Sequence, residues 1–252
     1  MINVIYVMWL REMKRFIRAK SRVIGMLSMP LMFLAFLGFG FSNISIPGIS
    51  KNINYIHFLV PGIIGMGMLF TSTFAGISVL WDREFGFLKE IMVAPVSRIS
   101  IVLGRLAGGI TTGLIQGISI LFVSLIVGFK IPGILQFFIA IVFMVLISVV
   151  FIGLGLIFAS KMKDMQGFNL IMNFIIFPVF FLSGAIFPLQ NLPEGVRLIS
   201  YFDPLTYGID GMRAAFLGTS LFPIIYDFFV LFGFSLIMIF LGAYFFEKSE
   251  SV

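Results

Sequence analysis

Few side chains in this 252-residue chain could do covalent chemistry, and none stands in a pattern that would allow it. There is no cysteine, which excludes thiol nucleophiles, thiolate metal sites and disulfides. His57 is the sole histidine, so a multi-histidine metal centre is excluded too. No Gly-x-x-x-x-Gly-Lys-Ser/Thr loop is present to cradle a nucleotide phosphate. The sequence thus offers no catalytic residue, no metal site and no cofactor site. Three other groups of residues remain. Arg83, Glu84, Lys89 and Glu90 crowd one short segment of mixed charge, suited to contact rather than catalysis. Thr71, Thr73, Thr112, Gln116 and Asn173 are uncharged polar residues inside apolar runs. Such residues either bond across packed helices or line a path between them. Pro188, Pro193, Asp203, Pro204, Tyr207 and Arg213 punctuate an apolar stretch near the C-terminal end.

The elements that must position these groups follow from composition. Hydrophobic residues make up 60% of the chain, charged ones only 11%, and the mean hydropathy is +1.13. A soluble domain carries about 25% charged residues, so this chain has too little polar surface to be one. Six apolar runs free of Asp, Glu, Lys and Arg are long enough to cross ~30 Å of hydrocarbon as helices. They are Val23–Phe41, Phe58–Leu80, Leu106–Gly128, Ile134–Ala159, Leu170–Phe187 and Phe228–Phe246. They do not alternate as barrel strands would, and open strands are not viable in lipid. The expected fold is all-α and polytopic, a single membrane domain over 1–252. The first run is read as a retained span, because about 22 residues precede it, too many for a signal peptide.

Thirteen of the 17 Lys and Arg residues fall in 1–22, 81–105, 160–169 and the C-terminal tail. Lys51, Lys130, Arg197 and Arg213 fall on the other side. That asymmetry places both termini in the cytoplasm. The net charge of +6 therefore reflects topology and lipid, not a nucleic-acid partner. The spans hold no embedded carboxylate of the kind a proton- or sodium-coupled carrier usually shows, with Asp227 only at a span edge.

Three segments between and beside the spans are organised. In 1–22, Ile2, Ile5, Trp9, Met13, Phe16 and Ile17 fall on one helical face, and Arg11, Lys14, Arg15, Arg18 and Arg22 on the opposite one. Such a helix lies in the headgroup plane with its basic side toward anionic lipid. It serves either as an anchor or as a lever touching a cytoplasmic partner. In 82–94, Phe85, Leu88, Ile91 and Met92 recur at helical spacing until Pro95 stops the helix. This is either a solvated connector or a helix that docks in a partner's groove. The stretch 188–219 is too apolar for a free loop and too rich in proline for a span. It reads as short helices re-entering the outer leaflet, which need protein or water around them.

Val93–Ser97 and Gly104-Arg105, together with Leu182–Leu189, Leu192-Pro193, Asp203–Tyr207, Arg213 and Gly218, resemble the membrane subunit of type-2 ABC exporters over nearly the whole chain. The resemblance implies two permease subunits, identical or homologous, around a central path. Each docks a separate ABC ATPase subunit. Segment 82–94 would be the coupling helix, 1–22 a connecting helix and 188–219 the outer gate. Arg83, Glu84, Lys89 and Glu90 would lie at the ATPase contact. The expected cargo is a drug, lipid or lipid-linked glycan, exported across the cytoplasmic membrane. The rival readings are an ATP-independent carrier or channel, and a non-transporting assembly or immunity protein.

Overall fold

The computed structural model describes residues 2–41, 54–86, 98–162 and 164–249. Among the described residues the regular structure is helical throughout. The described residues form ten α-helices in order: α1 Ile2–Arg18, α2 Lys20–Gly40, α3 Tyr55–Ala75, α4 Ile77–Glu84, α5 Arg98–Ile126, α6 Ile134–Lys161, α7 Met165–Leu182, α8 Glu194–Ser200, α9 Pro204–Leu217 and α10 Ile224–Ser249. A 3-10 turn at Leu189–Asn191 precedes α8.

Six stretches are long and apolar enough to cross a membrane: Val23–Gly40, Tyr55–Asp82, Ser100–Ile126, Ile134–Lys161, Met165–Leu182 and Ile224–Phe245. The helix α3 is the central post, with Leu59, Ile63, Ile64, Met66 and Met68 wholly shielded. It packs on α5 and α6, while α2, α7 and α10 form the outer ring. Phe36, Phe122, Phe174, Phe229 and Phe240 point outward and are largely exposed. A belt of this kind is untenable in water and natural in lipid, so the chain is a multi-pass membrane protein.

Four spans run further than the apolar runs from which they were read: the fourth ends at Lys161, and the sixth starts at Ile224 and so takes in Asp227, which is buried rather than at an edge. The second continues past Leu80 to Asp82, and the third starts at Ser100 rather than Leu106, so it includes Arg105. Asp82 and Arg105 are both buried. These two helices extend because the two charges face each other across the bundle, where pairing offsets the loss of water. The reading of charge-free spans is corrected accordingly. The fifth span, α7, stops at Leu182, short of Phe187, and Gly184 adopts a positive φ of 75° and turns the chain.

Small residues set the distances between helices. A Cβ on Gly104 would lie 2.5 Å from Met8 Cβ, and one on Gly108 2.8 Å from Glu12 Cβ. These two glycines, one turn apart on α5, let α1 lie directly along it. The face of α1 read as lipid-facing thus rests in part on protein: Met13 is buried and Trp9 bonds to Thr111 of α5. Helical conformation is interrupted at Ala19, between α1 and α2.

Candidate functional site

The bundle carries its buried charge at two opposite ends. At the end where α1 lies, Asp82 is 1% exposed and accepts from three arginines. Arg11 grips it with both terminal nitrogens, Nη1 at 2.9 Å from Oδ2 and Nη2 on Oδ1. Arg15 Nη2 is 3.4 Å from Oδ1, and Arg105 Nη2 is 2.7 Å from Oδ2. Arg105 also donates to Ser78 Oγ at 3.3 Å, one helical turn before Asp82. Glu12 stands 3.9 Å from Arg15 as the second carboxylate. Burial works against the charge on Arg11, but the Asp82 carboxylate outweighs it and raises the guanidinium's pKa above its ordinary value. A further bond, Trp9 Nε1 to Thr111 Oγ1 at 3.0 Å, fixes α1 to α5 beyond the cluster.

Three separate elements meet in this cluster. Arg11 and Arg15 come from α1, Asp82 from α4 and Arg105 from α5. Asp82 and Arg105 stand at the two roots of the segment that sequence reasoning reads as the partner-docking loop. Arg83 and Glu84 end α4, directly after Asp82, while Lys89 and Glu90 lie outside the described residues. Sequence reasoning named the basic face of α1 but missed Asp82 as its counter-charge. The signal available was i, i+4 spacing in both Arg11/Arg15 and Ser78/Asp82.

The polar residues within the spans divide. Thr71 and Thr112 line one small cavity of about 30 Å³ with Glu12, Ser78 and Arg105, room for one water. Thr71 also borders an open apolar groove of about 360 Å³ between α2 and α3, lined by Met26, Met29, Pro30, Met66 and Phe70. Thr73 is buried apart from these cavities, and Asn173 is exposed on α7. Gln116 has a structural task. Pro30 has no N–H, so the carbonyl four residues earlier, Met26, loses its helical partner. Gln116 Nε2 donates to that oxygen at 2.7 Å from the neighbouring α5.

At the opposite end, α9 packs on α3 and α6, and α8 packs on α7. Asp203 caps α9 by accepting from Leu205 N–H at 2.9 Å, and Pro204 occupies the first helical position. Burial pushes the Asp203 carboxyl well above its ordinary range, against that bond. Tyr207 OH donates to Tyr201 O at 2.7 Å, and Thr206 Oγ1 to Ser200 O at 2.9 Å, tying α9 to α8. Arg213 is buried and donates to Gly184 O at 2.8 Å and Ala185 O at 3.1 Å. Its guanidinium also lies 3.6 Å from the centre of the Phe58 ring. Asp210 accepts from Leu221 N–H and Phe222 N–H. Pro188 is buried at the head of the 3-10 turn, and Pro193 is exposed before α8. The six residues read as punctuation thus lie in one hairpin, and Asp203, Tyr207 and Arg213 bond within or beneath it.

Neither end holds a nucleophile beside a base or a cluster of metal ligands among the described residues. Both fix the positions of helices. The comparisons fit such a part. A model of the ABC-2 type transporter family matches residues 3–217. The inner membrane transport permease YadH of Escherichia coli K12 is 31% identical over 228 residues, covering 88% of this chain and 86% of that protein. The putative transport permease ycf38 of Porphyra purpurea is 31% identical over 194 residues, covering 75% and 66%. Nodulation protein J of Rhizobium leguminosarum bv. viciae is 27% identical over 202 residues, covering 79% and 76%. With most of its length matched, this chain belongs to the ABC-2 type transporter family as a membrane permease subunit.

Proposed function

We propose that this chain is the permease subunit of an ATP-driven exporter in the cytoplasmic membrane, moving a hydrophobic or amphipathic molecule such as a drug, lipid or lipid-linked glycan. Family membership implies association with an ABC ATPase subunit. In this reading two ATPase copies and a second permease, identical or homologous, complete the assembly. Both termini face the cytoplasm, in line with the Lys and Arg asymmetry.

The observation that carries the reading is the ion cluster on Asp82. It joins α1 to both roots of segment 82–94. A push delivered to that segment by an ATPase would therefore move α1, α4 and α5 together. Arg83, Glu84, Lys89 and Glu90 are the residues proposed to receive the push. The hairpin at 188–219, held by Arg213, Asp203 and Tyr207, is the proposed outer gate. Among the polar span residues, Thr71 is best placed to meet cargo, because it borders the apolar groove.

The test is reconstitution in vesicles with the partner ATPase and a fluorescent phospholipid as cargo. Reversing the charges of Glu84, Lys89 and Glu90 together should abolish cargo-stimulated ATP hydrolysis while membrane insertion stays intact. Unchanged stimulation in that variant would overturn the assignment. The chain alone should move no solute uphill, and accumulation without a companion protein would favour a secondary carrier instead.

A further inference from the structure

Asp227, on the first turn of α10, is fully buried, and neither of its carboxyl oxygens accepts a bond from an N–H or O–H group among the described residues. Its neighbour is another buried acid. The side chains of Asp227 and Asp210 lie within hydrogen-bonding reach of each other. Asp210 already accepts from the N–H groups of Leu221 and Phe222, in the turn between α9 and α10. Two ionised carboxylates in contact away from water repel strongly.

Among the described residues, one compensating charge acts on the pair. Arg213 stands three residues beyond Asp210 on α9 and attracts it, while bonding to the carbonyls of Gly184 and Ala185. Tyr207 of α9 lies near Asp227, Tyr201 and Asp203, with the ring of Tyr226 of α10 tilted beside it. From α3, Tyr55 faces Arg213, and His57 turns away to Gly128 O. The one ionisable residue of α6, Lys161, is at its far end. A single proton resolves the arrangement. Carried by Asp227 and donated to Asp210, it leaves the Asp227–Asp210–Arg213 group neutral and gives the buried acid a partner.

We propose that Asp210 and Asp227 bind one proton between them, and that this proton latches the start of α10 to α9 and to the 218–223 turn. Burial also holds Asp210 above the ordinary carboxylate range, against its two N–H bonds and Arg213. The closed corner then keeps a proton that an opened, hydrated corner releases. Its closure weakens as pH rises above the ordinary carboxylate range and levels off once the closed pair ionises too. One proton released per opening corresponds to about a tenfold rise in the opening equilibrium per pH unit.

The experiment is hydrogen–deuterium exchange over 218–227, with the full chain in lipid nanodiscs and rates corrected for the intrinsic pH dependence of amide exchange. The wild-type opening equilibrium should rise about tenfold per pH unit above the ordinary carboxylate range. Asp227→Asn should be flat, because the amide donates to Asp210 without releasing a proton. A flat wild-type profile, or an unchanged slope in Asp227→Asn, overturns the proposal. An infrared titration of the wild type needs no variant. It should show, in addition to the band of buried Asp203, a protonated-carboxyl band above the ordinary carboxylate range that disappears where the exchange slope levels off, and absence of this second band overturns the latch.

Discussion

The two ends of the bundle use buried charge in opposite ways. At the α1 end, side chain meets side chain: one carboxylate, Asp82, is shared by Arg11, Arg15 and Arg105 from two other helices. At the hairpin end, charge meets backbone: Arg213 answers carbonyls after α7, and Asp210 and Asp203 answer amides near their own helix. A charge bonded to backbone fixes the shape of the segment it touches. A charge bonded to another side chain joins elements that stay free to part and rejoin. The first suits a cap that moves as one piece, the second a joint between a loop and a lever.

The sharpest break is at the hairpin. Arg213→Met should strip the carbonyls of Phe58, Gly184 and Ala185 of their donor and leave Asp210 without its compensating charge, with no water to replace them. Loss of one partner from a buried ionic group costs about 3–5 kcal/mol. The expected outcome is a large drop in thermal midpoint of the detergent-solubilised chain and little correctly folded material. Arg213→Lys should recover only part, since an ammonium lacks the planar fork that spans Gly184 and Ala185. A midpoint unchanged in Arg213→Met would mean that the hairpin is not held by this residue.

At the α1 end the contrast lies among the three arginines. Arg105 is buried, whereas the Arg11 and Arg15 side chains are about a quarter exposed. When Asp82 becomes Asn, Arg11 and Arg15 can turn to water and Arg105 has no such route. Double-mutant cycles should therefore give a coupling of about 2 kcal/mol for Asp82 with Arg105 and under about 1 kcal/mol for Asp82 with Arg11. The function should divide the other way. Arg11→Gln should leave the fold intact and lower cargo-stimulated ATP hydrolysis, because it frees α1 from the loop root. Equal couplings for the two arginines would erase the distinction between anchor and joint.

How far these ends were legible in the sequence depends on separation along the chain. The six spans are visible because about 20 consecutive apolar residues have no other stable use. The amphipathic start is visible because its periodicity is local. Asp82 is not, since Arg11 lies 71 residues away and only the packed bundle brings them together. A search for uninterrupted apolar runs also stops at a charge. It trimmed Asp82 and Arg105 from their spans and left Asp227 at an edge, although all three are buried. The Pro, Asp, Tyr and Arg residues of the hairpin were legible as a group because they are close in sequence, but which carbonyls Arg213 serves was not.

Gln116 sharpens the same lesson with the smallest effect. As a polar residue in a span it reads equally as packing or as path lining. Its amide supplies the bond that Pro30 denies to Met26 O, across 90 residues of sequence. Gln116→Leu should then leave one part-buried carbonyl without its donor and cost about 1 kcal/mol in thermal or denaturant unfolding. In a Pro30→Ala background the helix of α2 makes that bond itself, so the same substitution should cost a few tenths of a kcal/mol at most. A path-lining role predicts the reverse pattern: stability unmoved by Gln116→Leu in either background, and transport altered in both. The cycle thus separates repair of a broken helix from contact with cargo, at a residue whose type alone allows both.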